Sequence, residues 1–325
     1  MPTSNLDMMR QSSILVGDTA DMTQVPTLVN HYGIREVTTN PTLITMAVEQ
    51  GRYPGQMGEA IDRAMRHHRA RPSRLTWAAL YLTAAIGREI LQVIPGRIST
   101  ELDARLAFDP QGSYSEAQRL MEIYHSLGID SERILVKLPA TWEGLEAAGQ
   151  LERQGIHCNL TLIFHLEQAA RAADQGVSVV SPFVGRISDW YFNKRGLRPP
   201  DPDHDPGVQS VRMIHGYMRS HGYATQTMAA SFRSTSQITA LAGCDLLTLP
   251  PALLEALAQE EVGAGQSPAW EGDPPRAERL AHDEATFRYV LNDDPMASDL
   301  LADGIRRFAR DGERLLGCIE QAMPG

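Results

Sequence analysis

Short runs of apolar and β-branched residues alternate along the whole chain with longer stretches in which apolar residues recur every three or four positions. The first pattern belongs to strands and the second to amphipathic helices. Eight runs read as strands: residues 13–18, 36–40, 97–102, 134–139, 157–163, 178–184, 224–231 and 246–249. Helical spacing is clearest at 115–127, 142–154, 166–175 and 207–221. It returns from about 294 to 323, where Met296, Leu300, Ile305, Phe308 and Leu315 form one apolar stripe that reads as packing and nothing more. Alternation of this kind predicts a parallel sheet. Eight strands predict an α/β fold, a (β/α)8 TIM barrel with additional helices and a long C-terminal one. Residues 195–206, with four prolines, and residues 262–277, rich in Gly and Pro, read as surface loops. Strand–helix alternation continues past the first and only terminal helices follow the second, so one domain over residues 1–325 is expected.

Composition narrows the partners. The net charge is −10 with no basic block, which argues against nucleic acid and anionic membrane surfaces. No apolar run reaches the length of a membrane span, and residues 1–10 lack the layout of a signal peptide. Cys158, Cys244 and Cys318 are far apart and outside CxxC spacing, as suits a reducing compartment. A cytoplasmic protein is therefore expected. The NLT match at 159–161 to a glycosylation acceptor is set aside, because it falls on a buried strand.

Two lysines stand against 28 arginines, and one of them, Lys137, lies inside the apolar run ILVKLPA at 134–140. Arginine supplies charge equally well but cannot form an imine, because its guanidinium does not deprotonate. A lysine flanked by Ile, Leu and Val loses solvation, which favours the neutral, nucleophilic amine. An ordinary strand-end lysine snorkelling to water is the plain alternative.

The C-terminal ends of barrel strands carry the active site of this fold. Those ends offer Asp18, then Thr38, Thr39 and Asn40, then Glu101, Lys137, Asn159 with Thr161, Ser181 with Arg186, and Ser231 with Arg233. Residues two apart share a face, which groups Asn159 with Thr161 and Ser181 with Phe183. A lysine imine needs a carboxyl group to move protons, and Asp18 and Glu101 are the candidates. Arg186 and Arg233 suit bidentate capture of a phosphate, against the alternative of surface ion pairs. For Asp18 the alternative is a helix cap.

Taken together the motifs resemble those of one family, the transaldolases. VTTNPTLI at 37–44 is similar to its N-terminal signature, and ILVKL at 134–138 followed by TWEG at 141–144 is similar to its active-site lysine segment. PGRISTELDAR (95–105), GIHCNLTL (155–162), SPFVGRISDWY (181–191), ASFR (230–233), AGCD (242–245) and DPMA (294–297) extend the resemblance from about residue 10 to the end. It implies a class I enzyme without cofactor or metal, usually a homodimer. Such an enzyme moves a dihydroxyacetone unit from sedoheptulose 7-phosphate or fructose 6-phosphate to an aldose phosphate in the pentose phosphate pathway. It further implies Lys137 as imine nucleophile, Asp18 as base at the C4 hydroxyl, and Glu101 with Thr161 and a water as proton relay. Asn40, Asn159, Ser181 and Phe183 would hold the donor, and Arg186, Ser231 and Arg233 its phosphate.

The chain departs from the family pattern at Pro139–Ala140, at His165, in MAAS at 228–231, and in STS at 234–236 beside the expected phosphate site. Related fructose 6-phosphate aldolases resemble this chain but carry Gln and Tyr at the positions of Glu101 and Phe183, which sides with transaldolase. A non-catalytic sugar-phosphate-binding barrel would have lost Lys137, Asp18 or Glu101. A metal-dependent aldolase finds no support, since His67–His68 reads as an exposed helix surface with no further ligand at metal spacing.

Overall fold

The computed structural model describes residues 4–263, 278–280 and 283–324. Eight parallel strands close into one barrel in sequence order: β1 (Ile14–Asp18), β2 (Glu36–Thr38), β3 (Ile98–Glu101), β4 (Ile134–Pro139), β5 (Cys158–Ile163), β6 (Val179–Pro182), β7 (Gln226–Ala229) and β8 (Leu246–Leu249). Helix α1 (Asn5–Ser12) precedes the barrel and α2 (Val25–Tyr32) links β1 to β2. Between β2 and β3 come α3 (Pro41–Glu49), α4 (Pro54–His67) and α5 (Arg71–Leu91). Then α6 (Pro110–Ser126), α7 (Trp142–Glu152), α8 (Leu166–Asp174), α9 (Val184–Arg195) and α10 (Pro206–Ser220) follow β3 to β6. The short α11 (Thr235–Thr239) follows β7, and α12 (Pro251–Gln259), α13 (Glu284–Asp293) and α14 (Pro295–Ala322) end the chain. No described helix is long and apolar enough to cross a membrane.

The (β/α)8 expectation holds, with shorter strands than the apolar runs suggested. Strand β6 stops at Pro182, so Phe183 is the N-cap of α9 and Arg186 is helical rather than at a strand end. Strand β7 stops at Ala229, which leaves Ser231 and Arg233 in the following loop. In both cases the apolar signal continues into the loop because the mouth of the barrel is itself buried. The 195–206 loop contains one short 3-10 turn, Pro202–His204. Most of the 262–277 loop lies outside the described residues. His67 ends α4 exposed, but His68 is half-buried and stacks on Trp77 at 4.4 Å, contrary to a bare helix surface.

Alternation along the strands sorts side chains into two cores. Leu15, Val136, Leu160, Val180 and Leu247 face outward into the large core beneath the helices. Val16, Leu135, Val179, Met228 and Leu246 form a separate, fully buried cluster inside the barrel. Each such side chain contributes roughly 1.5–3 kcal/mol by leaving water. Two residues further along β1, β4, β6 and β8, the same inward face carries Asp18, Lys137, Ser181 and Thr248. The interior is therefore apolar midway and polar at the C-terminal end. At the opposite end Arg97 closes the barrel: its Nε donates to Glu36 Oε1 at 2.7 Å and its Nη2 to Glu36 Oε2 at 3.3 Å and Gln226 Oε1 at 3.0 Å.

Candidate active site

Register places the reactive groups. Glu101 pairs with Lys137 across β3 and β4, and Lys137 with Asn159 across β4 and β5, so the three share one level of the barrel. Lys137 Nζ lies 3.1 Å from Glu101 Oε2 and donates to Thr39 O at 3.3 Å. Both side chains are almost wholly buried, 6% and 1% exposed. Glu101 Oε1 is buried with no hydrogen-bond partner. Burial pushes the Glu101 carboxyl above its ordinary range, and the neighbouring Lys137 charge opposes the shift.

Asp18, at the end of β1, lines the same cavity as Lys137. Thr38 Oγ1 donates to Asp18 Oδ1 at 2.9 Å and also contacts Thr248 Oγ1 at 2.6 Å. Burial raises the Asp18 carboxyl too, opposed first by Lys137, then by the Thr38 bond and Arg186. The capping alternative for Asp18 fails, because the N-cap of α2 is Gln24, six residues further on. Two buried carboxyl groups with raised affinity for protons thus lie near one amine. That set can deliver and accept protons at a carbon–nitrogen bond.

One cavity is lined by Asp18, Asn40, Lys137, Ser181, Phe183, Arg186, Ser231 and Arg233, which brings together eight of the eleven residues expected from sequence. Asn40 sits there because it caps α3: its side chain accepts from Leu43 N at 3.0 Å, and Pro41 begins the helix. The other three lie outside that lining. Asn159 is fully buried, donating to Ser99 Oγ at 3.1 Å and accepting from Ser181 Oγ at 2.7 Å. Thr161 is fully buried and its Oγ1 has no hydrogen-bond partner. It lies where the β5–β6 register shifts, next to Leu162 with φ 57°. A bulge of this kind re-aims side chains at a barrel rim.

The rim opposite the lysine is basic. The first N–H groups of α9, Val184 and Gly185, donate to Ala230 O at 2.9 Å and Ser231 O at 3.0 Å. Gly185 permits that approach, since a Cβ there would lie 2.3 Å from Ser231 O. Ser231 itself is left-handed, with φ 63°. Arg186 stacks over Phe183 at 5.0 Å and Phe308 at 5.6 Å, and its Nη1 is buried without a partner. Burial, then the charges of Arg307 and Arg233, hold its guanidinium below the usual range. Arg233 is half-exposed and pairs with Asp189 at 2.9 Å, yet it lines the same cavity as the more deeply buried Arg186. An anion at this rim would relieve the repulsion among the three guanidinium groups.

Thr38, named at its strand end without a role, also lines the cavity, as do Thr248 and Phe308, which were not singled out as site residues from sequence. Phe308 on α14 was read as packing; it does pack, yet one edge faces the cavity. Helix α14 comes this close because of Gly304, where a Cβ would lie 2.7 Å from Leu162 Cδ2. Two departures from the family pattern keep their local work: His165 caps α8 by accepting from Glu167 N at 3.1 Å, and Ser234 caps α11 by accepting from Gln237 N at 3.3 Å. Among the described residues no group of three or more His, Cys, Asp or Glu side chains is placed to hold a metal ion.

Comparison with protein families agrees with this geometry. The transaldolase/fructose-6-phosphate aldolase family model matches residues 15–319, so the span from β1 to the last turn of α14 belongs to that family.

Proposed function

We propose that this enzyme is a transaldolase, acting in one catalytic domain through an imine on Lys137. The observation that carries the reading is the Lys137 Nζ to Glu101 Oε2 contact of 3.1 Å, beside a cavity that Lys137 shares with Asp18. The neutral amine attacks the ketone of a donor such as fructose 6-phosphate or sedoheptulose 7-phosphate. Glu101, with Thr161, moves protons during carbinolamine formation and dehydration. Asp18 takes the C4 hydroxyl proton as the C3–C4 bond breaks, and the electron pair is held by the protonated imine. Asn40, Asn159 and Ser181 hold the donor hydroxyls, with Phe183 beside them. Arg186, Ser231 and Arg233 hold the phosphate. The three-carbon unit stays on Lys137 until glyceraldehyde 3-phosphate or erythrose 4-phosphate accepts it.

The carboxylate at Glu101 and the phenyl ring at Phe183 support transfer over simple aldol cleavage, since the resembling aldolases carry Gln and Tyr there. This role fits a cytoplasmic homodimer of the non-oxidative pentose phosphate pathway. The test is incubation with fructose 6-phosphate and borohydride, followed by peptide mass spectrometry. A reduced adduct on Lys137 is expected; an adduct on the exposed Lys194, or none, would sink the imine mechanism. Erythrose 4-phosphate should then yield sedoheptulose 7-phosphate. Release of free dihydroxyacetone without that product would identify an aldolase instead.

A further inference from the structure

Two cavities meet at the barrel mouth, and they divide the carboxyl groups between them. The upper one holds Asp18 and Lys137 and is rimmed by Arg186 and Arg233. The other runs sideways among α3, α5 and α14, and Glu101 lines this one. Asn40 and Phe308 border both and form the partition. We propose that the lateral cavity is the path by which water leaves and reaches the Lys137 imine, with Glu101 at its inner end. The inference rests on the imine chemistry above.

That chemistry moves one water in each half of the cycle. The lone pair of Lys137 Nζ forms the C–N bond and a proton passes from nitrogen to the former carbonyl oxygen, giving a carbinolamine. Its C–O bond then breaks as the Glu101 carboxylic acid gives a proton to the departing hydroxyl. Water, a protonated imine and a carboxylate result. Hydrolysis reverses these steps and consumes one water. At both moments a complete ketose phosphate fills the upper cavity, so the direct way out is blocked by the sugar.

The lateral cavity has the required properties. Its lining includes both buried Glu101 and exposed Thr76, as a path between the carboxyl group and solvent requires. Its volume is about 80 Å³. One water needs roughly 10–15 Å³ of such space, so several fit in file. Thr83 and Glu116 offer polar stations along it, and Glu116 Oε1 accepts from Asp103 N at 2.8 Å. Ile44, Leu80, Leu315 and Leu316 make much of the remaining wall apolar, with Asp103 and Arg105 beside them. Burial keeps Glu101 in reach of its acid form, as proton delivery at this end requires.

Gly312 allows a clean obstruction, because it borders the cavity and a Cβ there meets no atom within 4 Å. Its replacement also favours helix α14. The experiment follows exchange of the C2 oxygen of fructose 6-phosphate in ¹⁸O-water by the ¹³C isotope shift, alongside steady-state kinetics. Gly312→Leu and Thr83→Leu should each slow exchange and kcat by about tenfold at unchanged KM, while Gly312→Ala stays near wild type. The path is overturned if both obstructed variants exchange at the wild-type rate, or if exchange falls only in proportion to a rise in KM. Absence of any wild-type borohydride adduct would refute the imine reading itself, a distinct result.

Discussion

The barrel holds an ion pair at each end, and the two are built to opposite standards. At the floor, Arg97 grips Glu36 through two N–H groups and Gln226 through one of the same, so the guanidinium fork is met by fixed acceptors. At the mouth, Lys137 makes one 3.1 Å approach to Glu101, whose other oxygen has no hydrogen-bond partner. Planar, bidentate pairing holds one geometry and resists exchange of partners. A single amine contact beside an under-bonded carboxyl fixes neither partner in one geometry. The floor pair fastens strands; the mouth pair is the one the proposed mechanism would use.

Four substitutions would break or sharpen that contrast. Lys137→Arg keeps a cation at the mouth but removes the imine, so transfer activity should fall ~10⁴-fold or more, with no borohydride adduct. Activity within tenfold of wild type would end the comparison. Arg97→Ala strands Glu36 at the floor. Because Arg97 is 23% exposed, a loss of about 2–3 kcal/mol is expected in urea unfolding, below the range for a fully buried pair. Its kcat per folded molecule should stay near wild type.

Asp18→Asn should do the reverse, losing activity while gaining about 1 kcal/mol of stability at neutral pH. The sign follows from proton linkage. Burial raises Asp18 in the fold, so the native state binds its proton more tightly than the unfolded chain does. Wild-type stability from this group is therefore greatest below the ordinary carboxylate pKa. It declines as pH rises through the raised value. Unfolding curves taken across that window should show the Asn variant pulling ahead as pH increases; parallel curves would contradict the burial argument. The smallest effect is expected for Phe308→Leu, which removes one of the two rings beneath Arg186. A three- to tenfold rise in KM for phosphorylated donors, with kcat nearly constant, corresponds to roughly 1 kcal/mol of lost cation–π support.

Much of the mouth was legible in the sequence because charged and amide side chains interrupt apolar strands there. Lys137 interrupts an apolar run, and Asp18, Glu101 and Asn159 place charged or amide groups on strands that read as buried, where such groups are costly without use. The floor was not legible. Glu36 and Arg97 stand at the starts of strands, where charge usually means solvent, and only the closed barrel brings them together with Gln226. Phe308 was misread for the opposite reason: an aromatic ring on an apolar helix stripe gives one signal whether it meets core or cavity. The α4–α5 pair was not located individually. Its fit depends on contacts such as Gly87 against Tyr124, where a Cβ would lie 2.0 Å from Oη, and no local pattern encodes them. Strand ends were overrun at β6 and β7 because the apolar run extends beyond the last ladder bond.

The left-handed backbone at Ser231 carries a consequence for how this protein would drift under laboratory evolution. A serine at φ 63° is held where glycine rests without strain. In a library at position 231 screened for heat resistance alone, glycine should therefore rise in frequency. In the same library screened for growth that depends on phosphorylated sugars, serine should return. The two screens would pull one codon in opposite directions, and the distance between their outcomes would measure what the hydroxyl is worth to the cell.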